Sequence, residues 1–141
     1  MKTIFIGIDP GGNTGVAIWN KLERKLMLKQ FTSHCACMFW LFEHLKQYKQ
    51  SEIKFRVEDA RMAKKRPDLA EVNKGKLQGV GYVKAYSKDW QSFCVYHGYD
   101  HEMCQARNTK ANPDYFEQLT GLKTKKTESH LRDAGMLVYG I

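Results

Sequence analysis

The sequence lacks what would place a protein in a membrane or knit it together with disulfides. No apolar run reaches the roughly 18 residues that span a bilayer. The N-terminus offers one lysine, Lys2, and passes directly into Ile4-Phe5-Ile6, without the small-residue cleavage site of a secretory signal. These absences lead us to expect a soluble cytoplasmic protein with no membrane partner. Cysteine is sparse: Cys35, Cys37, Cys94 and Cys104 contain no CxxC pair, and a cytosolic compartment would keep all four reduced. Cys94-x-x-His97 followed by His101-x-x-Cys104 has a zinc-like look. Cys94 and His97 also fall on an apolar helical face, where buried thiols are common. There is no repeat, no low-complexity segment and no domain linker, so the 141 residues read as one domain, 1–141.

What is present is apolar substance and positive charge. The apolar share of 43% and aromatic share of 12% are enough for a packed core and exclude a disordered chain. The net charge of +8 makes a polyanion the leading kind of partner. The charge is clustered: Lys64-Lys65-Arg66, Lys74-x-Lys76 and Lys123-x-Lys125-Lys126. One such cluster is as well explained as a solvated surface; three together favour phosphate contact. Neutralising about six phosphates would give a log–log salt slope on the order of −5.

The pattern of elements is mixed. Residues 2–8, 15–19 and 26–31 read as strands joined by short glycine-rich or charged links, hence an antiparallel meander. Residues 36–49, with Met38, Leu41, Phe42 and Leu45 at helical spacing, read as a helix capped by Ser33. Ile53 to Glu58 then reads as a fourth strand, parallel to the first through a right-handed crossover. After a polar, breaker-containing stretch from Asp59 to Asn73, a long helix runs to about His97. It carries two stripes: Val80, Val83, Trp90 and Cys94, and a second of Tyr82, Tyr86 and Phe93. Two stripes suit burial on two sides and so a dimer interface at Tyr82, Tyr86 and Phe93; a single wide core face is the other reading. A fifth strand over 101–106 follows. A short helix opens at Asn112 or Pro113 and closes at Gly121, and a last helix runs from Thr127, its expected cap, to about Tyr139. The fold class is α/β: a five-stranded mixed sheet, its first three strands antiparallel, flanked by helices.

This order brings acids together. Asp9 and Glu58 end the first and fourth strands, so parallel pairing would aim both carboxylates into one crevice at one edge of the sheet. Asp133 lies near the start of the last helix and shares a face with His130, three residues before it. Three adjacent carboxylates repel one another, and a divalent metal removes that cost. Mg²⁺ takes hard oxygen ligands, and a pair of such ions suits phosphodiester cleavage. Gly11, Gly12 and Gly15 would leave room for a nucleic-acid backbone. Asp9-Pro10-Gly11-Gly12 is also a good turn sequence with no need of metal. Asp59, next to Glu58, should point to the opposite face, solvated or paired with a nearby Arg.

At these residues a resemblance appears. Gly7-Ile8-Asp9-Pro10-Gly11-Gly12-Asn13-Thr14-Gly15-Val16-Ala17-Ile18-Trp19 resembles the opening motif of RuvC-type Holliday-junction resolvases, in the ribonuclease H-like superfamily. Val57-Glu58-Asp59-Ala60 is similar to their second acidic position. The stretch from Lys76 resembles the start of their long dimerisation helix, and His130-Leu131-Arg132-Asp133-Ala134-Gly135 their final acidic helix. The resemblance spans nearly the whole chain in order, and the compact phage-type members are the nearest in form. It implies a ribonuclease H-like nuclease domain and a cell that is bacterial or a phage-infected host. It further implies Asp9, Glu58 and Asp133 as catalytic metal ligands, and His130 as a fourth ligand or water-orienting group. Two Mg²⁺ per site, with Mn²⁺ as a substitute, would be the cofactor. The partners would be branched DNA, four-way junctions above all, and a second copy of the chain, the two sites making paired nicks. Lys110 and the Lys123–Lys126 run fall where the family places basic residues near the scissile phosphate. Many members carry two acids three apart in the last helix, whereas here the first is His130.

Other functions compete. A broader nuclease of the same superfamily, acting on flaps, forks or RNA-containing substrates, is the main alternative. An actin-like or sugar-kinase-like nucleotide fold also opens with strand, Asp, glycine turn and Thr, but needs a second domain and a second phosphate loop. A non-catalytic DNA-binding protein would have little use for three acids that repel phosphate.

Overall fold

The computed structural model describes residues 1–62, 74–106 and 110–141, and for 74–80 the backbone alone. Five strands form one sheet: β1 (Ile4–Asp9), β2 (Thr14–Asn20), β3 (Lys25–Phe31), β4 (Ile53–Glu58) and β5 (Asp100–Cys104). Their order is β3-β2-β1-β4-β5. The first three are antiparallel neighbours, and β4 and β5 run parallel to β1. Among the described residues four α-helices accompany them: α1 (His34–Leu45), α2 (Lys74–His97), α3 (Pro113–Thr120) and α4 (Ser129–Val138). The expected mixed sheet and its flanking helices are therefore present, with strand boundaries shifted by one or two residues. Among the described residues no helix is long and apolar enough to cross a membrane.

Alternation along the strands sorts the core into two layers. Ile4, Ile6 and Ile8 of β1, with Val16 and Ile18 of β2 and Ile53, Phe55 and Val57 of β4, face α1 and α2. There they meet Cys37, Leu41 and Leu45 on one helix and Trp90 and Cys94 on the other. The alternate residues Phe5, Ala17 and Trp19 pack with Phe116 of α3 and Ala134, Leu137 and Val138 of α4. Asp9 follows Phe5 and Gly7 in parity, and Glu58 follows Lys54 and Arg56. Both therefore belong to the face covered by α4, the helix that carries Asp133.

Glycine makes the approach of α4 possible. A Cβ at Gly7 would overlap the Ala134 carbonyl, and one at Gly15 would overlap the His130 carbonyl. Gly15 lies opposite Asp9 in the β1–β2 register, so helix and acid-bearing strand end meet where side-chain bulk is missing. This corrects one expectation: Gly15 makes room for α4, not for nucleic acid. Gly12 alone of that trio has open space around it.

Helix ends follow their caps, with two corrections. Ser33 Oγ accepts from the Ala36 amide and starts α1, as expected. The helix stops at Leu45, short of residue 49, with Lys46 as its C-cap. Asn112 caps α3 and Gly121 closes it with φ of 77°. Thr127 does not cap α4. That helix begins at Ser129 after Glu128, whose carboxylate instead accepts from the Lys125 amide at 2.7 Å.

On α2 the two expected stripes fare differently. Trp90 and Cys94 are fully buried. Phe93 packs inside its own chain, with its ring centroid 5.4 Å from Trp90 and 6.1 Å from Phe55. Tyr86 lies against His34 with centroids 4.6 Å apart, whereas Tyr82 is 64% exposed. The Val80 side chain lies outside the described residues.

Candidate metal centre

The pairing of β1 with β4 sets Ile8 beside Val57, so Asp9 and Glu58 leave the sheet side by side. Asp133 comes down from α4, one turn beyond the helix start. The three offer carboxylate oxygens within 4.8 Å of one another. Asp9 is 7% exposed, and the Glu58 and Asp133 side chains are also largely covered. Among the described residues this is the one His/Cys/Asp/Glu group with metal-ligand spacing. The zinc-like Cys94, His97, His101 and Cys104 form no such group. Cys94 is buried, and burial pushes its thiol up to about 12, the behaviour of a core cysteine.

The electrostatics are those of crowded acids. Burial raises the Asp9 carboxyl above its ordinary range, against the opposing effect of a hydrogen bond from His130. Burial also raises Glu58, and the charges of Asp9 and Asp133 push it further. Two basic side chains answer this. His130 Nδ1–H donates to Asp9 Oδ2 at 2.8 Å, and that bond raises the imidazole pKa. Lys110 Nζ lies 3.2 Å from Asp133 Oδ2 and 3.6 Å from Glu58 Oε1. Burial works against its ammonium, but Glu58 and Asp133 outweigh that and raise its pKa.

The backbone behind Glu58 is tied to α2. Ser87 Oγ, fully buried, accepts from the Ala60 amide at 3.3 Å and lies 3.4 Å from the Glu58 carbonyl. Asp59 points away from the acids, as its parity requires. It is buried, not solvated, and both its oxygens accept from Arg61 at 2.8 Å. That pairing holds its carboxyl below the usual range.

The other expected site residues divide into three groups. Lys110 joins the acids directly. Lys123, Lys125 and Lys126 are exposed on the segment leading into α4. Lys64, Lys65 and Arg66 lie outside the described residues, as do the side chains of Lys74 and Lys76. Sequence reasoning passed over Arg132. It is buried and donates to Ala111, Thr124, Lys125 and Lys126. One signal could have exposed it: a charged residue three before Gly135, on a helix face that otherwise packs.

A scan against protein-family models finds no match to this chain, and a comparison with curated proteins finds none either.

Proposed function

We propose that the chain is a metal-dependent, structure-selective endodeoxyribonuclease of ribonuclease H-like fold. In this reading it resolves Holliday junctions and other branched DNA by paired nicks, as a homodimer. The observation that carries the reading is the convergence of Asp9, Glu58 and Asp133 from two parallel strand ends and one helix. Like charges that close, and that buried, call for compensating cations. The donor set is carboxylate oxygen throughout, which suits Mg²⁺ or Mn²⁺ and not a thiolate-seeking metal. Asp9, Glu58 and Asp133 would hold the ions, two per site, with His130 beside them. When bound, such a pair lowers the barrier to attack of water on phosphorus and offsets charge on the leaving oxygen.

The chain's own residues supply the rest. His130 fixes the Asp9 carboxylate through its Nδ1–H. Lys110 offsets repulsion between Glu58 and Asp133 and carries a cation to the rim of the acid cluster. The exposed Lys123, Lys125 and Lys126, and the net charge of +8, favour a polyanionic backbone over a small neutral substrate. Phosphate contacts and junction shape would dominate binding. Pairing of two copies through α2, with Tyr82 at the contact, would give one nick on each of two strands.

The test is Asp9→Asn. It should abolish metal-dependent cleavage of a four-way junction while binding is kept or tightened, since a negative charge near phosphate is gone. Cleavage at the wild-type rate would remove Asp9 from the site.

A further inference from the structure

We propose that Arg132 is a positioning residue that holds the Lys123–Lys126 segment and the Lys110–Ala111 segment leading into α3 in one frame with the acidic trio. The ligand it serves, a polynucleotide backbone, rests on the nuclease reading above. Arg132 is 4% exposed, next in sequence to Asp133. Its Nε donates to the Ala111 carbonyl at 3.0 Å. Its Nη1 donates to Thr124 Oγ1 at 3.0 Å and to the Lys125 carbonyl at 2.7 Å, and Nη2 to the Lys126 carbonyl at 3.2 Å.

All four acceptors are neutral, three carbonyls and a hydroxyl. A buried guanidinium is costly unless its donors are satisfied, and here they are satisfied by backbone from two separate segments. The fork therefore sets where those segments sit. One segment presents Lys123, Lys125 and Lys126 to solvent. The other presents Lys110, whose ammonium already reaches Glu58 and Asp133. The Glu128 carboxylate, accepting from the Lys125 amide, holds the loop from its far side. A loop ordered before binding loses less entropy when it meets its ligand. Lysine cannot replace this residue: a compact ammonium has three donors and no planar fork to span both segments.

Arg132→Lys keeps the charge and removes the fork. Amide hydrogen exchange over residues 123–128 should speed up roughly tenfold or more, as expected for a lost charge-assisted hydrogen bond, while β1, β2 and β4 amides keep their protection. Binding to a labelled four-way junction in EDTA should weaken. The combination with Lys110→Gln, Lys123→Gln, Lys125→Gln and Lys126→Gln should bind no worse than the four lysine changes alone, because Arg132 acts through those lysines. Thr124→Val removes one acceptor of the fork and serves the same two readouts if Arg132→Lys does not fold. Exchange that rises uniformly along the chain, or binding losses that multiply in the combined variant, would overturn the assignment. If the wild-type protein binds no DNA while the exchange stays local, the nuclease reading fails and the role of Arg132 in ordering the loop stands.

Discussion

Gly15→Ala tests how α4 is brought to the acids. A Cβ at Gly15 meets the backbone of His130, which cannot swing aside as a flexible side chain could. Either α4 lifts or β2 bends. Overpacking of this kind costs about 1–3 kcal/mol, against the roughly 0.4–1 kcal/mol that Ala gains by restricting the unfolded chain. The net loss should lower Tm by several degrees in a domain of this size. The chemical effect should be larger, because α4 carries both His130 and Asp133. A displacement of about 1 Å in a reacting group can cost on the order of 10²-fold in rate. Gly12→Ala is the control: the same substitution in the turn just before β2, with nothing within 4 Å of the added carbon. It should change stability by no more than about 0.5 kcal/mol. Thermal melts, Mn²⁺ titration and junction cleavage on the two variants would decide. Equal behaviour of Gly12→Ala and Gly15→Ala would refute the claim that glycine sets the approach of α4.

Two further predictions follow from other parts of the structure. The Asp59 carboxyl is held below the 3.8 of a free Asp by Arg61, so the pair stabilises the fold above that value and the contribution is lost as pH falls through the depressed pKa. Asp59→Asn should therefore cost about 1–2 kcal/mol in urea unfolding at pH 7, and the gap from wild type should narrow toward pH 3; a pH-independent gap would deny the ion pair its role. Tyr82→Glu should yield monomers in sedimentation with the fold kept by circular dichroism, since that side chain is largely exposed in the single chain; a surviving dimer would move the contact off this part of α2.

Much of the sheet was legible in the sequence because its signals are local. Alternation of Ile4, Ile6 and Ile8 against Phe5, Gly7 and Asp9 is a matter of successive residues, and so is the placing of Asp9 and Glu58 at strand ends. Asp59 was foreseen on the opposite face by the same parity. What escaped was set by contacts between distant segments. Gly15 reads as the start of a strand with room beside it for nucleic acid until His130 is seen against it, 115 positions along the chain by number. The α4 start moved past Thr127 because Glu128 and Arg132 take up the loop's amide and carbonyls. Arg132 itself was passed over, since its acceptors at Ala111 and Thr124 are recognised only in the fold. Phe93, expected at an interface, spends its ring on Phe55, Trp90 and Tyr99.

The central claim is that three converging acids cut branched DNA with the help of metal. The most direct measurement is cleavage of an end-labelled four-way DNA junction, with Mg²⁺ and with EDTA, beside a linear duplex and an RNA–DNA hybrid of the same sequence. The account predicts paired nicks in the junction alone, and in Mg²⁺ alone. Cutting of the duplex or the hybrid as well would make the protein a broader nuclease. A junction that is bound but left intact in both Mg²⁺ and Mn²⁺ would contradict the account.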